Sequence, residues 1–497
     1  MIAASKLSSA SASTWARFKP ALFMVGLMLV VLAAGMTLPI LILFWQHNAP
    51  DWRAFTQSAI LTLACGLALL AWSRDLPHTL NPHQVFVITG LSWAVLPLFA
   101  AIPFILCQLE LPVVDALFEA VSGLTTTGST VLTGLDQMPD DILLWRSLLQ
   151  WFGGFGIIAM AVTIMPFLRV GGMRLFRSES SEWSEKALPR TRHVAKLLMN
   201  VYLVLTALCA LSYAFAGMSW FDAVNHAMTT LATGGFSTYD ASLGSFNSRL
   251  VDWVAVVFMI LGALPFLVYG RYWNSLQGNV FCDSQIRGFL AILAVIIATM
   301  TIYLMVYAQR NFCDALTSAA VNVTSIFTTT GYATEDYQLW GPAAVPVFFF
   351  LTVIGGCSGS TAGGMKIFRL QLSLIILREQ TIKLIHPRAV ICRRYNGQLV
   401  GDDILISAVA FSFVFLVTLA VLTLLLTFLG LDFITALSGI AQSMTSTGPG
   451  LGPIIGPAGN FQTLPEGAKL LLCGGMVLGR LEFLSLLVLF SPVFWRG

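Results

Sequence analysis

"VSGLTTTGST" (121–130) is a run of hydroxyl side chains around a glycine, set in a 497-residue chain that is 57% hydrophobic and only 10% charged. Soluble proteins carry roughly 25% charged residues, so this is not a water-soluble globule. Apolar runs long enough to cross a bilayer, about 20 residues each, recur from end to end. Examples are "ALFMVGLMLVVLAAGMTLPILILFW" (21–45) and "DILISAVAFSFVFLVTLAVLTLLLTFL" (403–429). The first exceeds the roughly 7–15 residues of a signal h-region and is followed by further runs, so it reads as a retained helix. The Ser- and Ala-rich residues 1–18 read as a disordered cytoplasmic tail. The question is why a hydroxyl-rich turn lies among such spans.

The stretch has relatives in the same chain: "LATGGFSTYD" (231–240), "FTTTGYATED" (327–336) and "SMTSTGPGLG" (443–452). Each sets Thr before a central glycine, and Gly128, Gly234, Gly331 and Gly448 lie 106, 97 and 117 residues apart. Four copies at such spacing imply four structural repeats. Upstream of each glycine lies an aspartate, at Asp115, Asp222, Asp314 and Asp432, placed to cap a helix and meet the positive end of its dipole. From aspartate to glycine there are 13, 12, 17 and 16 positions, too few to cross a core of about 30 Å at about 1.5 Å per residue. The unit is therefore span, re-entrant half-helix, polar loop, span.

Flanking spans fall at 84–107 and 143–168, 194–217 and 252–273, 286–308 and 343 to about 380, and 403–429 and 467–491. With two more near 21–45 and 54–73, the expectation is about ten spans. The fold expected is an all-α polytopic membrane protein. A tail (1–18) and a two-span hairpin (19–80) precede pore repeats at 81–175, 190–275, 284–385 and 400–497, the third with a broken second span. Seven of the 27 Lys and Arg lie between Arg169 and Lys196 and seven between Lys366 and Arg394. By the positive-inside rule those connections face the cytoplasm and the four polar loops face outward.

Non-helical backbone at membrane depth is tolerated where it is buried in protein or lines a water-filled path. Carbonyls and threonine hydroxyls are hard oxygen ligands for an alkali cation, and the half-helix aims its partially negative C-terminus at the same point. A single Thr-Gly turn says little; four, each after a half-helix, point to a cation path.

These residues resemble those of the Trk/Ktr/HKT superfamily, and within it the TrkH-type potassium uptake proteins. The resemblance rests on "GLTTTGST", "LQWFGGFGIIAMAV" (149–162), "GGFSTYDASLG" (234–244), "GGCSGSTAGGMK" (355–366) and "GPGLG" followed by "GRLEFLSLLVLFSPVFW" (479–495). It implies a potassium filter built from Thr126, Thr127 and Gly128, from Ala232, Thr233 and Gly234, from Thr329, Thr330 and Gly331, and from Ser446, Thr447 and Gly448. In that superfamily a serine at the first filter glycine accompanies sodium transport, and Gly128 stands there. The residue after each glycine differs (Ser129, Gly235, Tyr332, Pro449), which implies a looser filter than a symmetric channel's. A sodium-permeable transporter, or a sodium- or proton-coupled one, of the same fold is the alternative.

The resemblance also implies a gate from the loop holding Gly355, Gly356, Ser358, Gly359, Ser360, Thr361, Gly363 and Gly364, together with Arg480. Small residues of this kind also serve close helix packing. Arg480 is an ionisable group inside a span and reads as a pore-facing charge or as a pair with Glu482. Lys366 either joins the gate or snorkels to the surface. Asp240, Glu335 and Asp336 either focus cations at the mouth or are ordinary loop charges.

The chain has no G-x-G-x-x-G after a strand and no P-loop, so it binds no nucleotide cofactor. The resemblance implies a separate cytosolic RCK-type NAD- or ATP-binding subunit and a homodimer in the inner membrane. Nucleic acid is not expected as a partner. Eight dispersed cysteines and six dispersed histidines make no catalytic or metal constellation, which argues against an enzyme. Repeats of one orientation argue against an alternating-access carrier built from inverted halves.

Overall fold

The computed structural model describes residues 2–42, 50–74, 82–163, 187–275 and 283–496. Seven helical segments are long and apolar enough to cross a membrane: Phe18–Ile42, Trp52–Trp72, His83–Leu106, Asp140–Met160, Val194–Phe215, Ser284–Tyr307 and Asp402–Phe428. The last is apolar on every side, yet Phe413, Leu424 and Phe428 are exposed. A helix of this kind is stable only with lipid around it. The protein is an all-α polytopic membrane protein.

Of the ten spans expected, the other three are broken. Helix Arg249–Ala263 stops at Leu264 before Pro265, and Phe266–Ser275 follows, because proline offers no N–H to continue the ladder. Ala344–Val353 and Ile367–Ile385 are separated by the glycine-rich loop. Glu466–Arg480 and Leu484–Phe490 are separated by Glu482 and Phe483, both at positive φ. The first helix begins at Ile2, so the leader expected to be disordered is helical; it holds no Gly, and no Pro before Pro20, and its Ala and Ser tolerate helix.

Between the spans lie four short helices, here α1 (Val113–Leu124), α2 (Trp220–Leu231), α3 (Phe312–Phe327) and α4 (Phe433–Thr445), of 12, 12, 16 and 13 residues. At about 1.5 Å per residue they are roughly 18–24 Å long, as expected of half-helices. The aspartates play two roles. Asp432 caps α4 by accepting from the Thr435 N–H, whereas Asp222 lies in the first turn of α2 behind the true cap, Ser219. Asp115 and Asp314 likewise sit in the first turn, where the helix dipole still favours them.

The described residues form two compact units. One draws on residues 1–120, 138–145 and 481–497. In it the helix Ile2–Gly35 crosses Trp52–Trp72 at paired glycines: a Cβ on Gly26 would stand 2.9 Å from the Gly66 carbonyl oxygen, and one on Gly66 3.0 Å from that of Gly26. The Asp51 N–H donates to Asp141 Oδ2 at 3.0 Å and its Oδ1 accepts from the Gln108 N–H.

The other unit, residues 121–137 and 146–480, holds all four polar loops. One apolar cluster packs Phe327, Tyr337, Trp340 and Phe348 against Ile367 and Cys357; a second gathers Tyr202, Tyr213, Met259 and Tyr332. Past Ile367–Ile385 the chain makes a two-residue hairpin, Arg394–Tyr395 with Gln398–Leu399, turning at Asn396 and Gly397, both at positive φ as a tight hairpin requires. Glu379 there accepts from Lys383 and Arg393. Of the basic connection at 169–196, residues 169–186 lie outside the described residues, as do Cys282, His47 and His78.

Candidate functional site

Each half-helix ends in the same way. The N–H groups of Thr127, Gly234, Thr330 and Thr447 reach back to the carbonyls of Ser122, Thr229, Ser325 and Gln442 at 2.8–3.0 Å. Those of Thr126, Thr233, Thr329 and Ser446 reach Gly123, Thr230, Ile326 and Ser443. This pair of bonds is a Schellman cap, in which the first of the two donor residues along the chain must be left-handed. Glycine is the usual occupant, but here it is Thr126 (φ 53°), Thr233 (49°), Thr329 (57°) and Ser446 (54°). A side-chain-bearing residue in that conformation costs about 1–3 kcal/mol, strain that concentrates at functional sites.

Two residues on, φ turns positive again at Gly128 (88°), Gly235 (75°), Gly331 (88°) and Gly448 (102°). The counterpart of Gly128 in the second loop is thus Gly235, and Gly234 takes the place of Thr127. Matching the loops by the spelling Thr-Gly sets the second one off by a residue, because the backbone pattern, not the threonine, marks the position. Ser129 then corresponds to Phe236, Tyr332 and Pro449.

The four glycines close a ring. A Cβ on Gly128 would lie 2.1 Å from the Gly234 carbonyl oxygen, one on Gly235 1.9 Å from that of Thr330, one on Gly331 2.1 Å from that of Thr447, and one on Gly448 2.8 Å from that of Thr127. Each loop leans on the next and the fourth returns to the first. The same four glycines line a cavity of about 80 Å³.

The glycine-rich loop packs against the ends of these turns. Its ends are pinned by a short parallel pairing of Ile354–Gly355 with Met365–Lys366. The Thr361 hydroxyl lies 2.9 and 3.0 Å from the carbonyls of Gly262 and Leu231, and the Thr233 hydroxyl points at it from 3.3 Å. The Gly363 N–H donates to the Thr329 hydroxyl at 2.7 Å, and a Cβ on Gly363 would stand 2.0 Å from the Thr445 carbonyl. A Cβ on Gly356 would stand 3.2 Å from the Ala263 carbonyl oxygen, and the Cys357 N–H donates to that carbonyl. The Gly359 carbonyl accepts from Phe266, while Ser358 and Ser360 are buried in the same turn. Of the four strained hydroxyls, those of Thr233 and Thr329 are therefore held by this loop. Thr126 Oγ1 and Ser446 Oγ are buried without a partner among the described residues.

Arg480 ends its helix, 4% exposed, and donates from Nη1 to the Thr361 carbonyl at 2.9 Å. Its Nε and Nη2 have no partner among the described residues. The buried Lys366 amine donates to the Ala362 carbonyl inside the loop, which is not the geometry of a side chain snorkelling to a surface.

A family model described as "TrkH: Cation transport protein" matches residues 52–496. The chain belongs to the TrkH family. It is 47% identical to the Trk system potassium uptake protein TrkI of Halomonas elongata, over 97% of this chain and 98% of that one. It is 36% identical to the Trk system potassium uptake protein TrkH of Escherichia coli K12, over 95% and 98%. The crystal structure of the potassium transporter TrkH from Vibrio parahaemolyticus superposes with a TM-score of 0.88 at 33% identity, covering 96% of this chain and 100% of that one. These TrkH-family relatives are named as transporters, not enzymes.

Asp240, Glu335 and Asp336 have structural partners. Asp240 accepts from the N–H groups of Gly134 and Leu135, tying the first loop to the second, and Asp336 caps the turn at Gln338. Glu335 takes both nitrogens of Arg310 at 2.6 and 2.9 Å. His226 is a satisfied core side chain: Nδ1 faces the Asp222 carbonyl and so carries the proton, and Nε2 faces the Ser237 hydroxyl. Tyr332 points away from the ring into α2, its hydroxyl 2.5 Å from that of Thr229.

Sequence reading passed over Arg146 and Gln150. Arg146, 1% exposed, lies over the Phe236 ring at 4.2 Å and donates to the Ser237 carbonyl and the Thr130 hydroxyl. Gln150, one turn on, holds Gly234 and Phe236. The signal was two polar residues four apart inside an apolar span.

Proposed function

We propose that this protein takes up potassium across a bacterial inner membrane through a gated, channel-like pore whose selectivity filter is the ring of four loops. Ions would meet the carbonyls and hydroxyls of Thr126–Gly128, Ala232–Gly235, Thr329–Gly331 and Ser446–Gly448. What carries the reading is the closed ring itself: four strained, oxygen-lined turns, each at the negative end of a half-helix, each in contact with the next. The names of the relatives supply the ion. In this reading the chain is a tail (1–18), a hairpin (19–80) and four pore repeats at 81–175, 190–275, 284–385 and 400–497.

The loop from Gly355 to Gly364, with Lys366 beside it and Arg480 bound to it, is the gate in this reading. It lies directly under the strained hydroxyls, and Arg480 presents unpaired N–H groups and a fixed positive charge that opposes cation flow. In this reading that side faces the cytoplasm and the polar loops the periplasm, which the positive-inside rule supports through the two Lys- and Arg-rich connections. A cytosolic RCK-type subunit that binds NAD or ATP would act on the cytoplasmic side, and the transporter would work as a homodimer.

Reconstitution in proteoliposomes tests this: radioactive rubidium uptake, competed with potassium or sodium, with a pH-sensitive dye inside and with or without the cytosolic subunit. Potassium should compete more strongly than sodium. Equal competition by sodium overturns the potassium filter in favour of a sodium-permeable pore, and proton movement in step with rubidium would make it a coupled transporter.

A further inference from the structure

The second loop departs from the other three in two places at once. Hydroxyl bridges of 2.8 Å join Thr125 to Thr127, Thr328 to Thr330 and Thr445 to Thr447. The matching positions in the second loop are Ala232 and Gly234. The space is taken by Gln150: a Cβ on Gly234 would stand 2.4 Å from its Cδ. Fully buried, the carboxamide accepts from the Phe236 N–H through Oε1 at 3.1 Å and donates to the Gly234 carbonyl through Nε2 at 2.7 Å. No flipped orientation works, since a backbone N–H only donates and a carbonyl only accepts. The Gly234 carbonyl is also one of the four oxygens of the ring.

The repeats supply an internal comparison. Gly153, Gly262 and Gly479 each face the end of a half-helix, their would-be Cβ atoms 1.9, 3.2 and 1.9 Å from the carbonyls of Leu124, Leu231 and Met444. Three residues before them stand Gln150, Met259 and Met476, all buried. Methionine has nearly the shape of glutamine but no N–H donor. Met259 shares a buried cluster with Tyr332 of the third loop, where the threonine pair is present. The carboxamide occurs where the pair is missing.

We propose that Gln150 is a specificity-determining positioning residue, whose N–H occupies the Gly234 carbonyl and so weakens one of the four oxygens an ion meets. A hydrogen placed against an oxygen lowers its attraction for a cation, and the field strength of the ring is one determinant of which alkali cation it prefers. A weaker field favours large, easily dehydrated ions and disfavours sodium. The inference rests on the four loops being the filter.

The test is Gln150→Met in proteoliposomes, reading the ratio of sodium to potassium competition against radioactive rubidium. Sodium should gain by roughly threefold to tenfold, the equivalent of one net hydrogen bond. A second variant, Gln150→Met with Ala232→Thr and Gly234→Thr, rebuilds the methionine-and-threonine combination found at the third loop. It should restore any lost uptake rate while the ratio stays shifted, which a space-filling role would not produce. An unchanged ratio in both variants overturns the proposal. Gly128→Ser separates this from failure of the filter reading, because its Cβ must displace the Gly234 carbonyl. If it shifts the ratio while Gln150→Met does not, only the role of Gln150 falls; if neither shifts it, the filter reading falls.

Discussion

The guanidinium of Arg480 donates to the carbonyl oxygen of Thr361 across 119 residues of sequence. The same threonine bonds through its hydroxyl to Gly262 and Leu231 and accepts from Thr233. One residue of the glycine-rich loop thus holds together the end of the helix Glu466–Arg480, the end of α2 and the strained turn that follows it. For the gate proposed above, opening would require these bonds to break together, as in a two-state switch.

Arg480→Ala should raise basal flux. A hydrogen bond to a charged group is worth about 1.5–3 kcal/mol, so the closed state loses roughly tenfold to a hundredfold of its preference, and the pore loses a positive charge. Rubidium efflux from proteoliposomes without any regulatory partner measures this. Flux equal to the wild type would remove Arg480 from the gate.

Gly26→Val should destabilise the protein without changing its ion preference. The new side chain meets the Gly66 carbonyl and the Cβ of Leu69 at about contact-breaking distance, 2.9 and 3.1 Å from its Cβ. Overpacking of this kind costs about 1–3 kcal/mol. The thermal midpoint in detergent should fall while the sodium-to-potassium ratio of the inserted protein stays that of the wild type. A shifted ratio would mean that the helix pair does more than support the fold.

Stability should decline in acid through Glu335. Burial alone would raise this carboxyl, but the paired Arg310 guanidinium and the Ser318 hydroxyl hold it below its ordinary value of 4.5. A carboxyl depressed in the folded state contributes stability above its unfolded value and loses it as pH falls through the folded one. The thermal midpoint should therefore hold down to about pH 4.5 and fall below it. Glu335→Gln should lower the midpoint at neutral pH and flatten that acid decline; an unchanged acid slope would assign the decline to other carboxyls.

The spans, the half-helices and the polar loops were legible because each is written locally, as a run of apolar residues, a length too short to cross, or a hydroxyl cluster. What the sequence hid depends on contacts between repeats. That Gly235 rather than Gly234 matches Gly128 follows from backbone angles, and the adjacent glycines gave two spellings of one turn. The missing threonines of the second loop are explained only by Gln150, which lies over 80 residues away in the chain. The breaks near Pro265 and Glu482 do not show in hydropathy, since long apolar runs flank both and the single residues Pro265, Arg480 and Glu482 hardly lower the average.

The register of the second loop can be decided by a pair of substitutions that look alike on paper. Gly234→Ala places its Cβ against the end of a flexible side chain, 2.4 Å from Gln150 Cδ, and its φ is not in the left-handed region. Gly235→Ala places a Cβ 1.9 Å from the Thr330 carbonyl oxygen, which is backbone, at a φ of 75°. The first clash is relieved by shortening Gln150; the second is relieved by nothing on a neighbouring side chain. Both variants should lose most potassium uptake when measured in cells that depend on this protein for growth at low potassium. Adding Gln150→Ala should return uptake to Gly234→Ala and leave Gly235→Ala inactive. Rescue of Gly235→Ala instead would restore Gly234 as the true partner of Gly128 in the ring.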